Sequence, residues 1–188
     1  MHYLVCDLEA TCCDRGTVPR AEMETIEVGA VLVEGHSLCK IDEFQRFVRP
    51  VRHPKLTAFC TQLTSITQAD VDGASTFPVV VASLQEWLRP HAPVTFCSWG
   101  DYDRRQLEQD AAFHGLRFPI DAPHVNLKQA FAERQRGRRR LGLGAAITYV
   151  GMIFEGAAHR GIDDARNIAR LLPFALALHP DAQRGKGC

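Results

Sequence analysis

Acidic residues and one histidine, spread over three segments, are the residues of this sequence best suited to chemistry. They are Asp7, Glu9, Asp103, His159 and Asp164. Grouped carboxylates can hold two divalent cations, and such sites promote phosphodiester hydrolysis by stabilising the attacking and leaving oxygens. A histidine beside them can take a proton from water, because its ordinary pKa is about 6.5. The set therefore predicts a hydrolytic site assembled from distant parts of the chain.

Asp7 and Glu9 lie two residues apart, just after the apolar run 3–6. Side chains two apart on a strand point to the same face of the sheet, so these carboxylates would repel each other unless cations bridge them. Hard cations with oxygen ligands, Mg²⁺ or Mn²⁺, suit such a pair. Two solvent-facing acids at a strand end would give the same short pattern, so the pair alone leaves both interpretations open.

The other candidates also have ordinary structural explanations. Asp103 stands in the first turn of a predicted helix, where an acid is stabilised by the helix dipole, and Asp101 is a competing candidate two residues earlier. His159 falls in a segment whose glycines predict a mobile loop, with Asp164 at the head of the last helix. A surface histidine and an N-cap aspartate would look the same.

The elements that must position these residues can be predicted from periodicity and turn residues. Strands at 2–8, 25–33 and 38–48 predict an antiparallel meander, and 94–97 predicts a returning strand. Short helical turns are predicted at 61–66 and 68–71, and longer helices at about 76–87, 103–114, 126–134, 141–150 and 163–178. This order, three strands and then helices with one or two returning strands, predicts an α/β fold in which a mixed central sheet is flanked by helices.

Length and charge narrow the class of protein. A chain of 188 residues fits one domain, predicted at 1–180, with a flexible tail at 181–188. Lys plus Arg and Asp plus Glu number 22 each, so the formal net charge is zero. Neutrality excludes a globally basic nucleic-acid-binding protein but permits a local basic patch.

One dense basic run is present before the predicted helix at 141–150. Its five arginines within seven residues are suited to follow a phosphate backbone, although a solvated loop is the alternative. They are Arg134, Arg136, Arg138, Arg139 and Arg140.

The cysteines and the hydropathy of the sequence indicate the cellular compartment in which the protein is expected. The seven cysteines are odd in number and lack zinc-ligand spacing, which favours free thiols in a reducing cytosol. Neither a signal peptide nor an apolar stretch of roughly 18 residues is found, so we expect no membrane association and a cytoplasmic location.

The candidate residues, taken together, resemble the DEDDh 3′–5′ exonuclease family, with its D-x-E, Y-D and H-x(4)-D motifs in order. The similarity is greatest to the branch of histone-mRNA and small-RNA 3′ exonucleases, and it covers about residues 2–178. Supporting stretches are 24–31, 47–50, 63–67, 76–78 and 163–169. One departure is Ser65, at a turn where the family usually has glycine.

The resemblance implies a ribonuclease H-like fold, with a central mixed five-stranded sheet flanked by helices, and two-metal hydrolysis with Mg²⁺ or Mn²⁺. Asp7 would bridge both metals, Glu9 and Asp164 would hold the metal that presents the attacking water, and Asp103 would support the second. His159 would be the general base. The implied substrate is single-stranded nucleic acid, which would be cut from its 3′ end to nucleoside 5′-monophosphates. The similarity to the histone-mRNA and small-RNA branch favours RNA. A DNA or short-oligonucleotide exonuclease and a binding module with a vestigial site are the alternatives.

Substrate contacts are implied less directly. By resemblance Phe59 and Tyr102 would flank the terminal base, and Trp99 is a further candidate, whereas core packing is the alternative for each aromatic. Contacts with the terminal sugar are expected from Ala10, Thr11 and Met23. Backbone contacts are expected from Arg138, Arg139 and Arg140. The sequence does not indicate an oligomeric state.

Overall fold

The computed structural model describes residues 1–135 and 140–176. Its strands are β1 (His2–Ala10), β2 (Thr25–Glu34), β3 (Lys40–Arg49), β4 (Ser75–Thr76), β5 (Val94–Ser98) and β6 (His124–Asn126). Its helices are α1 (Ala58–Thr64), α2 (Gln68–Asp72), α3 (Phe77–Leu88), α4 (Tyr102–Phe113), α5 (Leu127–Arg134), α6 (Leu143–Tyr149), α7 (Gly161–Arg170) and α8 (Leu172–Ala175). The expected tail at 181–188 lies outside the described residues.

The strands form one mixed sheet in the order β4-β3-β2-β1-β5-β6. The predicted antiparallel meander of β1, β2 and β3 is confirmed. The pairs β3–β4, β1–β5 and β5–β6 are parallel. The sheet has six strands within the described residues, and the prediction of five is therefore wrong. The two short strands, β4 and β6, hold only two and three residues and show no periodicity in the sequence.

The sheet is covered on both faces. Leu4, Cys6 and Leu8 of β1 pack on the side of α3 and α4, and Tyr3 and Val5 pack on the side of α5 to α8. This alternation explains the uninterrupted apolar run of a strand buried on both faces. Because the alternation continues along β1, the two acids at its end belong to the row of Tyr3 and Val5 and point towards α7.

Two of the predicted helices have different boundaries in the structure, for local reasons. The helix predicted at 61–66 begins instead at Ala58, because the Thr57 hydroxyl accepts the N–H of Cys60 and caps it. It ends at Ser65, which has φ 60° and takes the left-handed conformation that explains the usual glycine. The last helix, predicted as one element at 163–178, begins at Gly161 and breaks at Leu171, before Pro173 of α8.

Five cysteines of the described residues are free thiols, as expected: Cys6, Cys12, Cys13, Cys60 and Cys97. Cys39 is disulfide-bonded, so the expectation of free thiols is wrong at that position. In the described part of the chain, none of the helices has the length and apolarity needed to cross a membrane.

Candidate active site

A cleft of about 860 Å³ opens at the end of β1. It brings together all of the predicted catalytic residues, which are Asp7, Glu9, Asp103, His159 and Asp164. These residues come from β1, the first turn of α4, the loop before α7, and α7 itself. The structure therefore brings these distant segments together in one cleft.

The end of β1 presents both of its acids to the cleft. In the pairing of β1 with β2, Asp7 lies opposite Gly29, and Glu9 lies opposite Glu27. Because Gly29 has no side chain, the sheet leaves room above Asp7 for the start of α7. The register shifts between Glu9 and Ala10, so the ladder is irregular where the strand leaves the site.

Asp103, rather than Asp101, is the acid of α4 that joins the cluster. Its Oδ1 accepts the N–H of Leu8 at 3.0 Å, which ties the start of α4 to β1. Only 4% of Asp103 is exposed. Asp101 is the N-cap residue of α4 and does not line the cleft.

The loop before α7 is fixed by hydrogen bonds to acids of that helix. The N–H of His159 donates to Asp164 Oδ2 at 2.9 Å, and the N–H of Ala157 donates to Asp163 Oδ2 at 3.0 Å. His159 has φ 61°, in the left-handed region, and its side chain is exposed at the cleft. Composition alone predicted a mobile loop, but these bonds hold its backbone against α7.

Burial and crowding make the carboxylates of the cleft hard to ionise. Burial, with Asp103 and Asp164 nearby, raises the pKa of Asp7 well above its ordinary value. Burial, followed by the charges of Asp164 and Glu27, raises the pKa of Glu9 to about 8. Burial also raises the pKa of Asp103 to about 7 and that of Asp164 to about 6. Bound cations would relieve this repulsion.

The donor set fits hard divalent cations. Carboxylate oxygens are the ligands that Mg²⁺ and Mn²⁺ prefer, and the cleft supplies them from several elements. One ligand atom from each of Glu9, His159 and Asp164 lies within 4.8 Å of the others. Asp7 and Asp103 lie outside that group of three but line the same cleft.

The predicted substrate contacts are brought together only in part. Ala10, Met23, Trp99 and Tyr102 line the cleft. Trp99 is oriented by its Nε1, which donates to the carbonyl of Leu141 at 3.1 Å.

Two of the predicted sugar and base contacts do not line the cleft. Thr11 is buried, and its hydroxyl accepts the N–H of Glu24 at 2.9 Å. Phe59 is 37% exposed on α1, and Leu63 of the same helix lines the cleft instead.

The basic run is only partly described. Arg138 and Arg139 lie outside the described residues. Arg140 is exposed and donates from Nη2 to Gln129 Oε1 at 3.1 Å, and it does not line the cleft.

The far wall of the cleft was missed from the sequence. It is formed in part by Leu143, Gly144, Thr148 and Phe154, from α6 and the segment after it. None of these residues titrates, and nothing in their spacing distinguishes them from residues of the core. Only Phe154 could have been suspected from the sequence, because it is an aromatic residue close to the loop that carries His159.

The sequence model of the exonuclease (RNase_T) family matches residues 4–172. The chain belongs to this exonuclease family. The resemblance to the DEDDh type is also confirmed by a solved structure, that of the nuclease domain of 3′hExo, a DEDDh family member, bound to rAMP. That structure is 30% identical, has a TM-score of 0.85, and is matched over 95% of this chain and 94% of its own.

Curated relatives support the same assignment. The 3′–5′ exoribonuclease 1 of Homo sapiens is 33% identical over 178 residues, which cover 90% of this chain and 51% of that protein. The 3′–5′ exonuclease Snipper of Drosophila melanogaster is 30% identical over 190 residues, which cover 91% of this chain and 68% of that protein. The chain thus spans about half the length of several of the curated relatives that it matches. Together these findings establish a ribonuclease H-like exonuclease fold.

Proposed function

We propose that this chain is a metal-dependent 3′–5′ exonuclease that shortens single-stranded nucleic acid, with RNA as the preferred substrate. The observation that carries the proposal is the convergence of Asp7, Glu9, Asp103 and Asp164 with His159 in one cleft. The relatives named exoribonuclease support the choice of RNA. A neighbouring structure bound to rAMP supports a terminal nucleotide as occupant of the cleft.

The four carboxylates would hold two cations, Mg²⁺ or Mn²⁺. In this proposal Asp7 would contribute to both cations, Glu9 and Asp164 would hold one of them, and Asp103 would support the other. When bound, the cations stabilise charge on the attacking and leaving oxygens and favour ionisation of the attacking water. Asp103 has one oxygen engaged with the N–H of Leu8, which leaves its other oxygen for this role.

His159 acts as the general base in this proposal. Its imidazole takes the proton from the water whose oxygen attacks the terminal phosphorus. The bond from that phosphorus to the 3′ oxygen of the preceding nucleotide breaks, and the 3′ oxygen takes up a proton. One nucleoside 5′-monophosphate is released, and the shortened chain again ends in a 3′ hydroxyl.

The walls of the cleft would bind the terminal nucleotide. Trp99 and Tyr102 offer aromatic faces for stacking, and Ala10 and Met23 lie beside the space for the sugar. Thr11 and Phe59 would contribute indirectly, from just outside the cleft. Phosphates further along the strand would contact the basic run that includes Arg138, Arg139 and Arg140.

Three finer points belong to the same proposal. Single-stranded RNA 3′ ends are the expected partner, without any role for a membrane. A cytoplasmic location is supported by the five free thiols of the described residues, whereas the disulfide of Cys39 argues against it. The oligomeric state is left open.

Product analysis tests the proposal. RNA and DNA of one sequence, each labelled at the 3′ nucleotide, are incubated with Mg²⁺, Mn²⁺ or EDTA. We expect labelled 5′-monophosphate from RNA with either cation and none with EDTA. Faster release from DNA would favour the alternative of a DNA exonuclease. Binding without release of mononucleotide under any metal would show a binding module.

A further inference from the structure

Another buried carboxylate, that of Glu27, lies beside the cleft and has no role in the mechanism above. Glu27 is directly opposite Glu9 in the pairing of β1 with β2, so both side chains are on the α7 face of the sheet. Glu27 is 0% exposed and does not line the cleft. A charge buried this completely requires partners of opposite charge or hydrogen-bond donors.

Donors surround both oxygens of this carboxylate. Arg160 donates from Nε to Oε2 at 3.2 Å and from Nη2 to Oε1 at 3.4 Å. Gln45 Nε2 donates to Oε1 at 2.9 Å, and the N–H of Gly161 donates to Oε2 at 3.0 Å. Glu27 therefore has the surroundings of a structural anchor rather than those of a cation ligand.

Three of these four contacts come from the two residues that follow His159. Arg160 is the N-cap residue of α7, but its own side chain does not cap the helix. Instead, the carboxylate of Glu27 accepts the N–H of Gly161, the first residue of the helix. An acid at this end also interacts favourably with the helix dipole. The cap of α7 is thus supplied by β2.

Backbone packing restricts the same segment from the side of the sheet. A Cβ atom at Gly29 would lie 2.1 Å from the carbonyl carbon of Gly161, so α7 starts directly on the backbone of β2. The guanidinium of Arg160 also lies over the ring of Phe47, 5.4 Å from its centroid. Together with the anchor at Glu27, these contacts fix where the loop that carries His159 ends.

We propose that Glu27 is a positioning residue for His159. By binding Arg160 and the N–H of Gly161, it holds the end of the loop so that the imidazole faces the cleft. The left-handed backbone of His159 agrees with this, because a residue other than glycine keeps that conformation only when the surrounding structure enforces it. The inference rests on the proposed function, in which His159 is the general base.

The variant Glu27→Gln tests the role with little change of shape. Glutamine retains an oxygen for the N–H of Gly161 but loses the charge that holds Arg160. We expect kcat to fall about 10- to 100-fold, because small displacements of a catalytic group cost this much, while KM stays within about threefold.

Glu24→Gln is the matched control. Glu24 is also buried, but among the residues that the structure describes its carboxylate accepts only the backbone N–H groups of residues 51–53. We expect its kcat to stay near that of the wild type. An equal loss of kcat in both variants would attribute the effect to a lost buried charge in general and would overturn the positioning role.

A double-mutant cycle separates positioning from general damage. If Glu27 acts through His159, Glu27→Gln should cause no further loss of kcat in a His159→Ala background. The same fold-loss in both backgrounds would overturn the proposal.

Amide hydrogen exchange supplies a readout that needs no activity. In Glu27→Gln the amides of His159 and Gly161 should exchange about tenfold faster or more, while that of Leu4 in β1 stays unchanged. If these amides exchange faster in Glu27→Gln, but the wild-type protein itself releases no nucleotide, the positioning role is retained and the proposed function is rejected. Unchanged exchange at both amides would reject the positioning role, whatever kcat does.

Discussion

Carboxylates that are fully or partly buried occur in two different surroundings in this fold. Glu24 accepts three backbone N–H groups at 2.7–2.8 Å, and Asp110 accepts the N–H and hydroxyl of Thr25 and the amide of Gln106. Asp7 and Glu9 instead face the cleft, and within residues 1–135 and 140–176 no hydrogen bond ends on their carboxylates. The first pair has its partners inside the protein, whereas the second pair is left to bind something else. The contrast separates acids that support the fold from acids that serve a ligand.

Replacing an acid of the cleft should have the largest effect on activity. Glu9→Gln replaces a charged carboxylate of the proposed cation site with a neutral amide, which binds cations more weakly. Because the cations contribute several kcal/mol to catalysis, we expect release of nucleotide to fall about 10³-fold or more. Single-turnover assays with saturating Mn²⁺ measure the loss. Circular dichroism should show an intact fold, and the contrast fails if Glu24→Gln loses as much activity.

His159→Ala should come next. A general base contributes about 10²- to 10⁴-fold, so kcat should fall within that range while the carboxylates still bind cations. Steady-state kinetics and titration with Mn²⁺ measure the two properties separately. Turnover within tenfold of the wild type would show that His159 is not the base.

Asp110→Asn should show the opposite behaviour. It leaves Thr25 and Gln106 with a poorer acceptor in a buried place, and we expect a loss of about 1–3 kcal/mol in the free energy of unfolding. Denaturant unfolding measures this loss, and turnover of the folded protein should be nearly unchanged. A large loss of kcat without loss of stability would place Asp110 among the acids that serve a ligand.

The last expected effect is a dependence of stability on pH. The pKa of Glu9 is raised to about 8 in the folded protein, so the folded state binds more protons than the unfolded state between the ordinary value near 4.5 and about 8. Stability of the metal-free protein should therefore fall as the pH rises through this window. We expect Tm to drop by at least about 3 °C between pH 5 and pH 8.

Glu9→Gln supplies the control for this measurement. It should reduce the drop in Tm, and Mg²⁺ should raise Tm more at pH 8 than at pH 5. A Tm of the metal-free protein that stays level or rises over this range would contradict the raised pKa.

Much of the fold and of the catalytic cluster could be predicted, because the signals are local. Alternation along β1 places Asp7 and Glu9 on one face, and apolar runs separated by turns indicate the meander. Asp103 was assigned to the site through the Y-D motif of the family, whereas its contact with Leu8, which lies 95 residues away in sequence, is what distinguishes it from Asp101 in space. No local pattern contains that information.

The substrate contacts were harder to predict because they depend on where helices begin and how they face the sheet. Capping by Thr57 starts α1 at Ala58, and in that helix Leu63 lines the cleft and Phe59 does not. The start of α7 at Gly161 depends on Glu27, a residue 134 positions away whose sequence context resembles any strand. Single-sequence patterns carry little information about such tertiary caps.

The backbone contact between Gly29 and Gly161 has a consequence for how this site tolerates change. Asp7 lies opposite Gly29, and Asp164 lies three residues beyond Gly161, so the separation of these acids is set where two glycines meet. Any side chain at position 29 would push α7, and Asp164 with it, away from β1. Sequence variation in the cleft walls can alter which nucleotide fits, but variation at position 29 alters the spacing of the acids themselves. A residue with no side chain and no chemistry of its own is thus among the most constrained in the molecule.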